Sequence, residues 1–596
     1  MPVRQHACRA LLLLAAAAPF ATAKDVFLTI GGGYNRHGNQ VSLERNVLFQ
    51  RQVLAEAVAG SPLPETYFAS GGSGDPDLQY RDPDFETNCP RARRLMAKLF
   101  GDEQEVSLRY RPTKLTSVAG PADKKLLRRR LRKLADGLEA GDRLIVYFTG
   151  HGGGAEEPDE YEYYDEETGD YREPDPDAYN EHDTVMYLWD DDEVTASEFA
   201  AELDRLPEGV SVVMVMVQCF SGGFAHTIFH GADAELGLAK HTRAGFFSQR
   251  HDRYAAGCTP DINEADYQEY STFFWAALGG RTRAGEPIGE RGLGADYDRS
   301  GAVSFAEAHA YAVIESDTID IPIRTSGALL RKYSTLGRGG DDDAEDAGDK
   351  PRSAIGSLFG MLGGGKKGEE SKEAPAEVIR LEGPLSELAE RGRPDQRAVI
   401  QRLAETVGLD GEATFDELEE RLEELGQEEL AVAGKWRIAE RALERTGRRL
   451  RDRLIEKWPE LDTPYSPVVA ELCSERADEF VAAVDSMPAL QAYRRASRRS
   501  DEAFDAYEQA EHAKAKAERL IRTCENIVLV TNLPLVAPAE IAGRYEQLLA
   551  AEEATLDFKA ADSDESSESD SAEPPTANAE SEQQAVSAEA AATAAE

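Results

Sequence analysis

Three short runs stand out in the first half of the chain: 26–30, 144–148 and 210–217 are almost continuously apolar. Runs of this length, rich in Val, Ile, Leu and Phe, are what a strand buried on both faces requires. Between them lie polar segments that keep apolar residues at helical spacing, at 42–58, 124–138 and 195–206. Strands alternating with helices predict an α/β fold, with a mostly parallel sheet covered on both faces. In such sheets ligands gather beyond the carboxyl ends of the strands. From about residue 378 the pattern changes. Ala, Leu, Glu and Arg dominate, and 435–457 and 498–523 predict long helices of the coiled-coil kind.

The same pattern divides the chain into five parts. Residues 1–23 read as a secretory leader: Arg4 and Arg9 precede an apolar stretch at 10–20, and Ala21-Thr22-Ala23 offers a cleavage site before Lys24. Residues 24–337 form the α/β part. Residues 338–377 read as a flexible linker containing Asp341-Asp342-Asp343 and Gly363-Gly364-Gly365. Residues 378–559 form a separate all-α region, a surface for an unknown protein partner, and the α/β part is expected to fold without it. Residues 560–596 carry ten acidic and no basic side chains and predict a disordered acidic tail. No later run is long and apolar enough to span a bilayer. The expected product is exported, and periplasmic or secreted.

Charge narrows the partners. The chain has 67 Lys+Arg against 111 Asp+Glu, a net charge of −44. That excludes nucleic acid and anionic membrane surfaces, which need a basic footprint. It suits basic proteins, divalent cations and solubility. Removal of the leader takes Cys8 and leaves Cys89, Cys219, Cys258, Cys473 and Cys524. An odd count in an exported protein leaves one thiol free or bridged between chains. With Cys219 as the free thiol, Cys89–Cys258 and Cys473–Cys524 are the pairs expected within each part.

Two of the strands end in reactive residues. The run 144–148 leads into Thr149-Gly150-His151-Gly152, and 210–217 leads into Gln218-Cys219-Phe220-Ser221-Gly222. A base and a thiol at two such ends converge on one cleft if the strands are neighbours, which is what covalent acyl transfer needs. The flanking glycines admit a substrate backbone, and the N–H groups of Gly152 and Cys219 are placed to hold an oxyanion. These two segments, over roughly 25–330, resemble the caspase/legumain-like superfamily of cysteine peptidases. The resemblance implies an α/β/α sandwich, an endopeptidase with His151 as base and Cys219 as nucleophile, a peptide or protein substrate, and no cofactor for catalysis. A catalytically silent scaffold acting through its helices, and a transpeptidase using the same dyad, are the alternatives.

The same resemblance implies a substrate pocket near Arg36, Ser248 and Asp252. Tyr34-Asn35-Arg36-His37 is similar to a legumain-like segment favouring Asn or Asp, whereas Val217 departs from the acidic residue of that family. Arg250 suggests an acidic substrate residue and Asp252 a basic one. The stretch 156–183, with fourteen acidic residues and one basic, Arg172, would steer basic substrates towards the cleft.

A second motif lies at 296–307. Asp296, Asp298, Ser300, the Ala302 carbonyl, Ser304 and Glu307 occupy the ligand positions of a twelve-residue EF-hand loop, with Gly301 at its sharp turn. A structural Ca2+ is expected there, with a helix following at 306–314. His226 and His230, four apart, have the spacing of a zinc pair, but no third ligand lies nearby in sequence, so packing or surface roles are the simpler account.

Overall fold

In the computed structural model the described residues are 24–57, 63–72, 74–156, 163–165, 170–172, 179–264, 267–337, 378–463 and 465–556. The leader, the linker and the acidic tail lie outside them, as does most of the acidic stretch after His151.

The central sheet has seven strands: β1 (Asp25–Gly31), β2 (Glu65–Phe68), β3 (Val118–Gly120), β4 (Arg143–Thr149), β5 (Ser211–Met216), β6 (Thr242–Phe247) and β7 (Ile323–Arg324). Their order is β7-β6-β5-β4-β1-β2-β3, all parallel except the β6–β7 pair. The apolar runs explain the centre. Phe27, Ile145, Tyr147, Val213 and Val215 face one core, while Leu28, Ile30, Leu144, Val146, Phe148, Val212, Met214 and Met216 face another. Alternate residues point to opposite faces of a strand, and here both faces are buried, so the runs read as continuously apolar. The short strand β2 and the edge strands β3 and β7 carry no comparable run.

The helices that cover the sheet in this half are α1 (Val41–Ala57), α2 (Lys124–Gly137), α3 (Ala196–Leu203), α4 (Tyr270–Gly279), α5 (Phe305–Glu315) and α6 (Thr325–Tyr333). Helices α2 and α3 cover the second core. Helices α1, α4, α5 and α6 cover the first. Beyond the linker, α7 (Phe415–Lys457) and α8 (Pro488–Val536) pack as a long antiparallel pair, followed by α9 (Ala539–Glu552). Trp436 of α7 stacks on Tyr507 of α8 at 5.2 Å, and Lys514 bonds Glu429 at 2.7 Å.

The helical region is not separate. Its residues Leu418, Leu520, Ile527, Leu533 and Leu548 belong to the same core as Phe27 and Tyr147 of the sheet. Arg519 of α8 is buried and donates to the carbonyls of Val313, Ser316, Thr318 and Asp320, at 2.6–2.9 Å. These carbonyls end α5 and line the loop after it, so a cation from α8 satisfies acceptors that α5 leaves open. Glu552 accepts from the backbone and hydroxyl of Ser326 at the start of α6. The far end of the α7–α8 pair packs on the helix Arg91–Phe100, where Leu450 and Leu454 of α7 and Phe480 of the intervening helix Ala477–Ser486 meet Met96 and Leu99. The apolar stripes of these helices announced burial, but the sequence did not say against what.

The cysteine pairing also fails. The five described cysteines are free thiols. Cys89 lies near Cys473, not Cys258, while Cys524 is in the core of the sheet half, away from the cluster that holds Cys473. Among the described residues no helix is long and apolar enough to cross a membrane.

Candidate active site and cation loop

Strands β4 and β5 are neighbours in register, with Met216 beside Phe148. His151 and Cys219 leave the same end of the sheet, two residues past β4 and three past β5. Gly152 is the hinge between them. A Cβ there would stand 2.5 Å from the Cys219 carbonyl oxygen and 2.7 Å from that of Val185, so only glycine fits. Gly152–Gly153 pairs with Val185–Met186 as a short antiparallel ladder, and Tyr187 N–H donates to the His151 carbonyl at 2.9 Å.

The ring of His151 is held by the loop after β1. Its Nε2 is 2.8 Å from the Gly38 carbonyl and 2.9 Å from the Gln40 side-chain oxygen. A carbonyl oxygen can only accept, so Nε2 carries the proton and Nδ1 keeps its lone pair. Tyr34 meets the ring edge-on at 5.3 Å. Burial pushes the imidazole below its ordinary pKa, opposed by the Gly38 bond. The ring is therefore neutral at neutral pH.

Cys219 is held by a different strap, residues 249–258. Ala255 N–H donates to its Sγ at 3.3 Å, and Phe220 N–H donates to the Arg253 carbonyl at 2.9 Å. Phe220 has φ +58°, a left-handed conformation that a bulky residue adopts only when its surroundings impose it. Its ring packs on Tyr254 at 4.9 Å. Burial pushes the Cys219 thiol above its ordinary pKa, so it is protonated in the free protein. The strap is anchored from behind. Asp320 accepts from Ala256 N–H at 2.7 Å, and Arg253 bonds Glu518 of α8 at 2.5 Å. Gln249 holds the 319–321 segment through Ile319 O and Ile321 N. Arg519 and Glu518 thus support the cysteine half of the site.

Two further side chains stand at the cleft. Gln218 is buried, and neither atom of its amide has a hydrogen-bond partner. Cys258 is exposed as a residue but turns its thiol inward, 3.9 Å from the Gly150 carbonyl. Packing around that sulfur, then the nearby charge of Cys219, push its thiol up.

The residues expected to form the substrate pocket are dispersed. Arg36 is exposed and stacks over Tyr110 at 4.2 Å. Ser248 is 1% exposed, within 3.3 Å of Ser221 and 3.4 Å of the Gln218 carbonyl, so it supports the turn from below and offers nothing to a substrate. Asp252 pairs with Arg250 at 2.8 Å. The opposing preferences suggested by Arg250 and Asp252 cancel in that pair. Gly38, Gln40, Ala255 and Arg519 were not foreseen. A backbone carbonyl or amide has no sequence signature, and Arg519 sits in a charged helical run.

The loop 296–307 closes on itself. Glu307 Oε1 accepts from Tyr297 and Asp298 N–H at 2.8 and 3.1 Å, and Oε2 accepts from Ser304 N–H at 2.9 Å. Ser300 and Gly301 N–H groups bond the Asp296 carboxylate. Gly301 has φ +92°, the turn that position demands. Ser300 hydroxyl donates to the Ala302 carbonyl. Carboxylate oxygens of Asp296, Asp298 and Glu307 lie within 4.8 Å of one another. An all-oxygen set on a tight turn fits a hard divalent cation. Phe305 N–H bonds the Ala554 carbonyl, so the loop's exit is fixed by the chain beyond α9.

No family model and no curated protein matches the chain. Among solved structures it is similar to protein GSU0716 from Geobacter sulfurreducens, at 12% identity over 50% of this chain and 92% of that one, with a TM-score of 0.25. A likeness that low assigns neither fold nor activity.

Proposed function

We propose that this chain is a cysteine endopeptidase of the caspase/legumain-like type, its α/β part an α/β/α sandwich and its dyad His151 and Cys219. The observation that carries the reading is the fixed tautomer of His151, with a free Nδ1 lone pair, beside the strand that ends in Cys219. Both groups are neutral at rest. As substrate binds, the Cys219 proton passes to Nδ1 and the sulfur attacks the scissile carbonyl carbon. The N–H groups of Gly152 and Cys219 hold the developing oxyanion. His151 returns its proton to the leaving amine as the C–N bond breaks, leaving a thioester. Water, deprotonated by His151, then releases the acid and restores the thiol.

Labelling with a peptide-like electrophile tests this directly. Wild type incorporates one label, and Cys219→Ala incorporates none. Equal labelling of the two would refute the dyad. Asp296, Asp298, Ser300, the Ala302 carbonyl, Ser304 and Glu307 are the residues that would hold a structural Ca2+. Calcium should raise the melting temperature of wild type and not of Asp298→Ala. A wild type indifferent to calcium would sink that assignment.

A further inference from the structure

We propose a second cation site, of the transition-metal class, formed by His182, His251 and Glu181 beside the turn that follows Cys219. The three residues are brought together from two distant segments. Their ligand atoms lie within 4.8 Å of one another. His182 Nε2 is 3.7 Å from one Glu181 oxygen, and His251 Nε2 is 3.8 Å from the other. Those separations are too long for hydrogen bonds. They approach the edge of a tetrahedron with metal–ligand bonds of about 2.0–2.1 Å, which is roughly 3.4 Å. The arrangement needs a small contraction around an ion, not a rearrangement.

The surroundings point the same way. His226 packs its ring on His182 at 3.7 Å, and His251 meets His182 edge-on at 4.2 Å. Three imidazoles so close cannot share positive charge, and neutral imidazole is the form that ligates. The second ring nitrogen of His182, Nδ1, is buried without a hydrogen-bond partner. A buried ring nitrogen without a partner calls for a water to complete it, which leaves Nε2, on the Glu181 side, as the ligating atom. The turn itself is built. His182 N–H bonds Asn180, Asp183 caps the start of α3 through Ser197 N–H, and Thr184 hydroxyl donates to the Phe220 carbonyl.

His182 and His251, with His226, line a cavity of about 710 Å³. Most of the cavity's cations are already paired: Arg250 with Asp252, Arg331 with Glu525, Lys332 with Glu235. Arg522 has no carboxylate contact among the described residues, and Glu181 remains for the ion. His230, which shares helical spacing with His226, bonds Asp204 at 2.9 Å instead and takes no part. Two imidazoles and a carboxylate select a borderline ion such as Zn2+ over Ca2+. The ion would tie the 180–184 turn to the strap at 249–253, from which Arg253 holds Phe220. A Cβ at Gly223 would stand 2.4 Å from the His182 carbonyl, so the two turns are already in contact.

The test uses the full chain with calcium present throughout. Zn2+ uptake is measured by elemental analysis after dialysis, and Co2+ is used as a spectroscopic probe. Wild type should bind one Zn2+ more than His182→Ala or His251→Ala, with affinity lowered at least tenfold in either variant. His230→Ala and Asp298→Ala should keep it. The Co2+ form should show visible bands without a thiolate charge-transfer band, which separates this site from Cys219 and Cys258. If a histidine variant does not fold, Glu181→Gln, on a half-exposed side chain, decides in its place. Uptake unchanged by these substitutions, no uptake by folded wild type, or a thiolate band overturns the proposal.

Discussion

The two halves of the candidate active site are held in different ways. His151 is held locally: its ring partners, Gly38 and Gln40, follow β1, the strand beside β4 in the sheet. Cys219 is held at long range. Its strap reaches through Arg253 to Glu518, and through Asp320 and the 316–320 loop to Arg519, both on a helix about 300 residues further on. His151 belongs to the sheet alone, while Cys219 is posed by the sheet and the C-terminal helices together.

The strongest way to break this contrast is to remove the helices. A chain ending at Gly337 should fail to unfold cooperatively and should bind an apolar dye, because the core on one side of its sheet loses Leu520, Ile527 and Leu548. A cooperative melt from that fragment would refute the shared core. Arg519→Ala comes next. It leaves four buried carbonyls without a donor, and is expected to cost about 3 kcal/mol or more in chemical denaturation, with loss of Cys219 labelling before global unfolding. Retained labelling in that variant would detach the strap from α8.

The pH behaviour separates the halves without mutation. The His151 pKa is depressed, so the ring is neutral over the ordinary working range, and the acid limb of any peptidase activity should fall below pH 6.5. The Cys219 thiol is raised, so its alkylation by iodoacetamide in the free protein should still be climbing above pH 9. A thiolate plateau near neutrality would contradict a resting dyad in which both groups are uncharged. The smallest effect is expected from Gln40→Ala. Gly38 still fixes the tautomer, so stability should drop by about 1 kcal/mol and the acid limb should stay in place. A displaced limb would show that Gln40, not the carbonyl, sets the proton.

What the sequence disclosed follows the same division. Strands β1, β4 and β5 were legible because burial on both faces leaves no polar interruption, and their ends delivered His151 and Cys219. The oxygen-rich turn at 296–307 was legible because its polar residues are contiguous in sequence. Strands β2, β3 and β7 were too short to carry a pattern. The imidazole cluster was illegible because His182 lies in an acidic stretch and His251 lies 69 positions away. The docking of α8 was illegible because an amphipathic stripe tells that a helix is buried, not which surface receives it.

The contact of Arg143 in β4 with the Thr555 carbonyl spans 412 residues. Together with the Ser326–Glu552 and Phe305–Ala554 bonds, it makes the order of synthesis matter. Pairings this remote form late and slowly, since the loop they close must first be searched. A growing chain has both strand ends long before it has the strap's anchor. The thiol is held only once α8 has been made, so synthesis of that helix is itself the clock on the site.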